Sequence, residues 1–198
     1  MNTAHLIFPE HIDHRHIAYP HGGLLVWIVI LLEIGTFGLG VAGLVYYGSL
    51  DPDGFSAGRE QLNLGYGTIN TMLLLSSGYC MAVAMHQLKT KALEKCLRWM
   101  RISILGGLLF TGVKGLEYSE KLNADLGMGH DMFFTFYWLM TAFHLVHVVV
   151  GLLIIWVLYL RLSKEKPTDI LDVEAGAAFW HLCDLIWLIL FPALYLLF

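Results

Sequence analysis

Long apolar stretches separated by short polar segments dominate the pattern of this chain. Crossing a hydrocarbon core of about 30 Å takes roughly 20 helical residues, and each stretch is long enough. Lipid offers no hydrogen-bond partners, so a spanning segment must satisfy its own backbone, and the alternating polarity of barrel strands is missing. The pattern predicts an all-α integral membrane bundle of five transmembrane helices, at residues 24–47, 65–88, 97–118, 132–160 and 175–198.

The first 23 residues differ from the rest in being polar and rich in histidine. They show neither the basic n-region nor the small-residue cleavage site of a signal peptide, so we expect the first span to be retained. His11, His14 and His16 could bind a metal, but we expect an unstructured, solvated tail. The chain therefore divides into a tail, residues 1–23, and a transmembrane domain, residues 24–198.

Positive charges concentrate in two of the four loops between the spans. The second loop carries five Lys and Arg residues from Lys89 to Arg101, and the fourth carries three from Arg161 to Lys166. The first loop has only Arg59 and the third only Lys121. Because Lys and Arg accumulate on the cytoplasmic side, this bias predicts a cytoplasmic amino terminus and a carboxyl terminus outside.

Composition supports lipid as the solvent and narrows the function. The chain has 198 residues, of which 57% are hydrophobic and 14% charged, and its mean hydropathy is +0.64, far from an ordinary soluble domain. No basic run implies a nucleic-acid partner. The widely spaced Cys80, Cys96 and Cys183 are interpreted as packing residues. No phosphate-binding glycine loop, haem-attachment motif or nucleophile elbow is present, so no catalytic centre is visible.

Ionisable residues inside the predicted spans need a partner or a role, because each costs about 2.5 to 3.5 kcal/mol at a helix centre. Glu33 lies near the middle of the first span. It is either a proton-handling or lipid-adjacent carboxyl, or a buried acid hydrogen-bonded to a neighbouring helix. Lys114 and Glu117, three residues apart in the third span, can meet on one helix face and predict a local ion pair at the outer interface.

The last two spans carry histidines at helical spacing. Thr141, His144 and His147 follow one another at intervals of three. Two histidines so placed could ligate a metal, and the alternative is hydrogen bonding to other helices. His181 and Asp184 share one face of the fifth span, where they could pair with each other or a neighbour, either relaying protons or closing a polar cluster.

Five motifs follow one another along the five predicted helices. They are Leu32-Glu33 before Thr36-Phe37; Asn70-Thr71 through Ser76-Ser77-Gly78 and His86; Gly107 through Thr111 with Glu117 through Glu120; Thr141 through Gly151; and Glu174 through Trp180-His181, Asp184 and Trp187. In this order they resemble subunit III of the haem–copper cytochrome c oxidases, including the subunit III-like proteins associated with bacterial nitric oxide reductases.

The resemblance implies a redox-inactive subunit of a bacterial cytoplasmic-membrane oxidase, packed on catalytic subunit I and the other subunits. Haem and copper are expected in that catalytic partner and no cofactor in this chain, although structural phospholipid would be held between helices. Larger members have seven helices, and the chain resembles the shorter five-helix bacterial form. Glu33 looks like the family's carbodiimide-reactive carboxyl. The candidate residues for tuning proton uptake or lipid contacts are Glu33, Glu117, His144, His147, His181 and Asp184.

Other interpretations remain open on the sequence alone. The same subunit could serve a nitric oxide reductase. A small haem b cytochrome would use His144 or His147 with His181 or His86 as axial ligands. A channel or transporter would use Glu33 and the histidine stripe as its ion path.

Overall fold

Six helices and one very short sheet make up the part of the chain that the structure describes. The computed structural model describes Leu6, Ile7 and residues 23–198. The helices are α1 (Leu24–Leu50), α2 (Pro52–Glu60), α3 (Leu64–Lys89), α4 (Leu93–Asn123), α5 (Met132–Ser163) and α6 (Ile170–Tyr195), and the strands are β1 (Leu6–Ile7) and β2 (Thr168–Asp169). All but α2 are long and apolar enough to cross a membrane. The five predicted spans are therefore confirmed.

The helix α2 was not predicted, although its start signals are present in the sequence. Asp51 accepts a hydrogen bond from the backbone amide of Gly54 at 3.1 Å, and Pro52 occupies the first helical position. A side-chain acceptor at the N-cap followed by proline is a strong helix start. The sequence analysis took the segment only as part of a loop between two spans.

Two described residues of the amino-terminal tail pair with the membrane domain. Strand β1 pairs in parallel with β2, placing Leu6 beside Thr168 and Ile7 beside Asp169. The expectation of an unstructured tail does not hold for these two residues. The tail histidines lie outside the described residues.

The helix α6 lies at the centre of the bundle. It packs against α1, α3 and α5, while α3 and α4 form the most extensive helix pair and α4 also packs on α5. In contrast, α1 buries only Phe37, Leu44 and Gly48, so most of its apolar surface faces outward. Bilayer lipid solvates such a surface as well as another helix would.

Tryptophan hydrogen bonds fix α6 against its neighbours. The indole nitrogen of Trp180 donates to the Ser77 hydroxyl at 3.1 Å, and that hydroxyl donates to the Ser103 carbonyl at 2.7 Å. About two helical turns further on, the Trp187 indole donates to the Thr71 hydroxyl at 2.9 Å. These bonds fix the positions of α3, α4 and α6 along one another.

The three cysteines are buried and free, in agreement with their interpretation as packing residues.

Candidate functional site in the helix bundle

A buried ion pair with two tyrosines forms the first polar cluster, the Lys114–Glu117 cluster, whose members are Lys114, Glu117, Tyr137 and Tyr195. The Lys114 ammonium lies 2.9 Å from Glu117 Oε2 and donates to the hydroxyls of Tyr137 at 3.3 Å and Tyr195 at 3.0 Å. Both hydroxyls donate in turn to Glu117 Oε1. The three ammonium hydrogens and both carboxylate oxygens therefore have partners, as a dry interior requires.

Aromatic rings surround the same ammonium group. Lys114 Nζ lies 4.9 to 5.6 Å from the ring centroids of Tyr118, Tyr137, Trp187 and Tyr195, within the range of cation–π attraction. The side chains of Lys114 and Glu117 are 1% and 0% exposed. The predicted pair is confirmed, and α5 and α6 cover this face of α4 with tyrosines.

A second polar contact joins α1 to α5. The carboxylate oxygen Oε2 of Glu33 lies 3.3 Å from Nε2 of His147. The other ring nitrogen, Nδ1, lies 2.8 Å from the Phe143 carbonyl oxygen. Since a carbonyl oxygen can only accept, Nδ1 carries a hydrogen. With Nδ1–H directed at Phe143, Nε2 is the imidazole nitrogen that faces the Glu33 carboxylate.

This pair lies at the margin of the bundle and is not sealed inside it. The side chains of Glu33 and His147 are 18% and 15% exposed. The Phe37 ring lies edge-on to His147, with centroids 6.0 Å apart, and covers one side of the pair. The pair is therefore partly open to the surroundings of the bundle.

His144 has a different role from its neighbour on the stripe. It is fully buried, and its Nε2 donates to the Cys183 carbonyl of α6 at 3.0 Å. Within the described part of the chain, its Nδ1 has no hydrogen-bond partner. The ring packs between Phe110 and Trp187. Hydrogen bonding to other helices, one of the two predicted roles of the stripe, is confirmed here.

His181 and Asp184 form the third contact. His181 Nδ1 lies 3.2 Å from Asp184 Oδ2, so the predicted pairing within α6 is confirmed. The histidine is 44% exposed, whereas the carboxylate is 10% exposed and packs against Gly78 of α3. A Cβ atom at residue 78 would overlap the carboxylate, so glycine is what allows α3 and α6 to approach around Asp184.

Comparison with known proteins identifies the family of this bundle. The family model described as cytochrome c oxidase subunit III matches residues 56–197, well over half of the chain. The chain belongs to the cytochrome c oxidase subunit III family. A protein of Mycosarcoma maydis named cytochrome c oxidase subunit 3 is 31% identical over 193 residues, which cover 92% of this chain and 68% of that protein.

Other family members with the same name match over different lengths. The Artemia franciscana protein is 32% identical over 128 residues, 64% of this chain and 49% of that protein. The Synechocystis protein is 26% identical over 200 residues, 100% of this chain and 84% of its own length. The chain thus spans about half the length of the Artemia franciscana protein and about two thirds of the Mycosarcoma maydis protein.

Five apolar helices within the subunit III family make the chain a multi-pass membrane protein. The named relatives give no support to the nitric oxide reductase variant or to a small haem b cytochrome.

The two histidines of the α5 stripe contact protein atoms. No group of three His, Cys, Asp or Glu residues in the described part of the chain could hold a metal. His144 Nε2 contacts the Cys183 carbonyl, and the two nitrogens of His147 contact the Phe143 carbonyl and Glu33. The contacts with Cys183 and Glu33 join helices, whereas the contact with Phe143 lies within α5.

The six residues singled out from the sequence therefore fall into separate contacts. Glu33 meets His147, Asp184 meets His181, His144 bonds to the α6 backbone, and Glu117 belongs to the Lys114–Glu117 cluster.

Sequence reasoning missed several interior polar residues. Tyr137 and Tyr195 gave no signal, since aromatic residues are common throughout the spans. Asn70 is also fully buried, and neither amide atom has a hydrogen-bond partner among the described residues.

Proposed function

We propose that the chain is a non-catalytic subunit III of a haem–copper terminal oxidase of the cytochrome c oxidase type, in a bacterial cytoplasmic membrane. Haem and copper would reside in catalytic subunit I, against which this chain packs together with other subunits. Family membership supports the assignment. The interior contacts described above fit it as well, because the polar side chains of α4, α5 and α6 are directed at one another.

The Glu33–His147 contact is the single observation that best supports a role in proton uptake. A carboxyl and an imidazole lie 3.3 Å apart at the edge of the bundle, and both side chains are partly accessible. Groups of these two kinds can pass a proton between them with little movement. The proposed effect of the pair is to support proton uptake by the catalytic subunit during sustained turnover. With the amino terminus cytoplasmic, Glu33 lies about a third of the way along α1 from that side.

Lipid binding is proposed for a groove between α1, α5 and α6. The groove has a volume of about 640 Å³ and is almost entirely apolar. Its walls include Leu25 and Val29 of α1, Val157 of α5 and Phe179 of α6. At one end, Arg161 lies 3.8 Å from Asp172, both about half exposed. A cation beside an anion complements a zwitterionic headgroup, so phosphatidylethanolamine is the proposed occupant, with its phosphate on Arg161 and its ammonium on Asp172.

A mild-detergent pull-down of the tagged chain from its native membrane tests the proposed function. The expected result is co-purification of a large subunit whose reduced-minus-oxidised spectrum shows haem and whose mass identifies an oxidase subunit I. Haem carried by the chain alone would overturn the proposal in favour of a cytochrome. Co-purification with a nitric oxide reductase would replace the oxidase assignment.

A further inference from the structure

A second groove follows the contact between α4 and α5, and its composition differs from that of the groove above. This α4–α5 seam has a volume of about 400 Å³. Its walls are apolar apart from one threonine: Ile104, Leu108 and Thr111 on α4, with Val149, Leu152 and Trp156 on α5. Half-exposed side chains such as Leu108 and Trp156 leave the seam open to the hydrocarbon of the membrane.

Two arginines lie at one end of the seam. Arg98 and Arg101 line a neighbouring space together with Glu94 and Leu97 and with Tyr159 of α5. Both arginines are exposed, and among the described residues neither guanidinium has an ion-pair partner. Arg161 differs, since Asp172 lies beside it. With two arginines and one glutamate, this end of the seam carries a net positive charge.

The length of the seam matches one leaflet of a bilayer. Arg101 and Thr111 are ten residues apart on α4, as are Val149 and Tyr159 on α5, which corresponds to about 15 Å of helix rise. Half of a hydrocarbon core of about 30 Å is the same distance. The rings of Trp156 and Tyr159 lie 6.0 Å apart at the arginine end, where interfacial aromatic residues are typical.

We propose that the α4–α5 seam binds one anionic phospholipid. Its phosphate contacts Arg98 and Arg101, and one acyl chain lies along the apolar walls as far as Thr111. Guanidinium groups bind phosphate oxygens in bidentate geometry, and basic residues at a membrane surface favour anionic over zwitterionic lipid. The seam is distinct from the groove at α1 and does not depend on the oxidase assignment.

Native mass spectrometry of the full chain in detergent tests the proposal, with dioleoyl phosphatidylglycerol and dioleoyl phosphatidylcholine added in competition. The wild type is expected to retain one phosphatidylglycerol in preference. The double variant Arg98→Gln/Arg101→Gln is expected to bind it roughly 30-fold more weakly. The matched control Lys164→Gln/Lys166→Gln removes two exposed positive charges from the same side of the bundle and should change binding less than about threefold.

A second variant tests the acyl chain separately from the charge. Val149→Trp fills the seam at a half-exposed position and keeps both arginines, so it should also lose the retained phosphatidylglycerol. Equal losses in the arginine and lysine double variants would reduce the effect to general electrostatics and overturn the proposal. Retention in Val149→Trp would do the same. If the lipid is absent when the chain is purified as part of its complex, the seam is covered by a helix of a partner subunit and the proposal is overturned.

Discussion

Removing one member of the Lys114–Glu117 ion pair is expected to destabilise the bundle more than removing both. In Glu117→Gln the ammonium of Lys114 stays in a site where its side chain is 1% exposed and loses its counter-charge. In Lys114→Met the carboxylate of Glu117 stays in the same dry interior, held only by two tyrosine hydroxyls.

The structure sets the size of the expected effect. An unpaired buried charge costs about 3 to 5 kcal/mol, so each single variant should lose roughly that much free energy of unfolding. The double variant Lys114→Met/Glu117→Gln carries no charge, and its glutamine oxygen can still accept from Tyr137 or Tyr195. Its cost is reduced to about 1 to 3 kcal/mol, from hydrogen bonds left incomplete. The double variant should therefore be more stable than either single one.

The cysteines of the chain provide the assay. Cys80, Cys96 and Cys183 are all buried, so a thiol-reactive fluorophore labels them only when the bundle opens. Unfolding would be followed by this labelling and by circular dichroism in a titration of dodecyl maltoside micelles with dodecyl sulfate. Cys80 is slightly exposed, at 7%. The variant Cys80→Ser is therefore the control for the order in which the three cysteines are labelled.

Two results would refute the reasoning. Additive losses in the double variant would mean that the two charges do not stabilise each other, because coupled residues deviate from additivity. A loss of unfolding free energy below about 1 kcal/mol in Glu117→Gln would mean that water reaches Lys114, because a hydrated ammonium is not destabilised as a buried charge is.

Three further outcomes are expected. Glu33→Gln cannot release a proton, so the complex should assemble and start normally but lose activity sooner during sustained turnover, whereas Glu60→Gln on exposed α2 should behave as wild type; dissociation of the complex would favour a structural role. Gly78→Ala places a Cβ against the Asp184 carboxylate and should cost about 1 to 3 kcal/mol, with part of the loss recovered in the double variant with Asp184→Ala. Trp180→Phe loses one hydrogen bond to α3, which should cost about 0.5 to 1.5 kcal/mol of unfolding free energy. The stability of Gly78→Ala and of Trp180→Phe is measured by the thiol-labelling titration. An unchanged stability in either variant would contradict the contacts assigned to α6.

Contacts within one helix were predictable from spacing alone. Lys114 and Glu117 are three residues apart, as are His181 and Asp184, and both pairs form. Residues at this spacing share a helix face wherever the helix is placed. Sequence could not say that Tyr195, 78 residues beyond Glu117, completes the first of these clusters, because that contact depends on how α4 and α6 pack.

The sequence by itself determined the five spans, because only long apolar helices meet the demands of a hydrocarbon solvent. It also determined which charged residues lie within the spans. Tertiary structure alone decided their partners, joining Glu33 to His147 and His144 to Cys183. In a soluble protein, the apolar face of a helix shows which side is buried. In lipid both faces are apolar, so that signal is lost, and packing of the helices decides which polar groups meet.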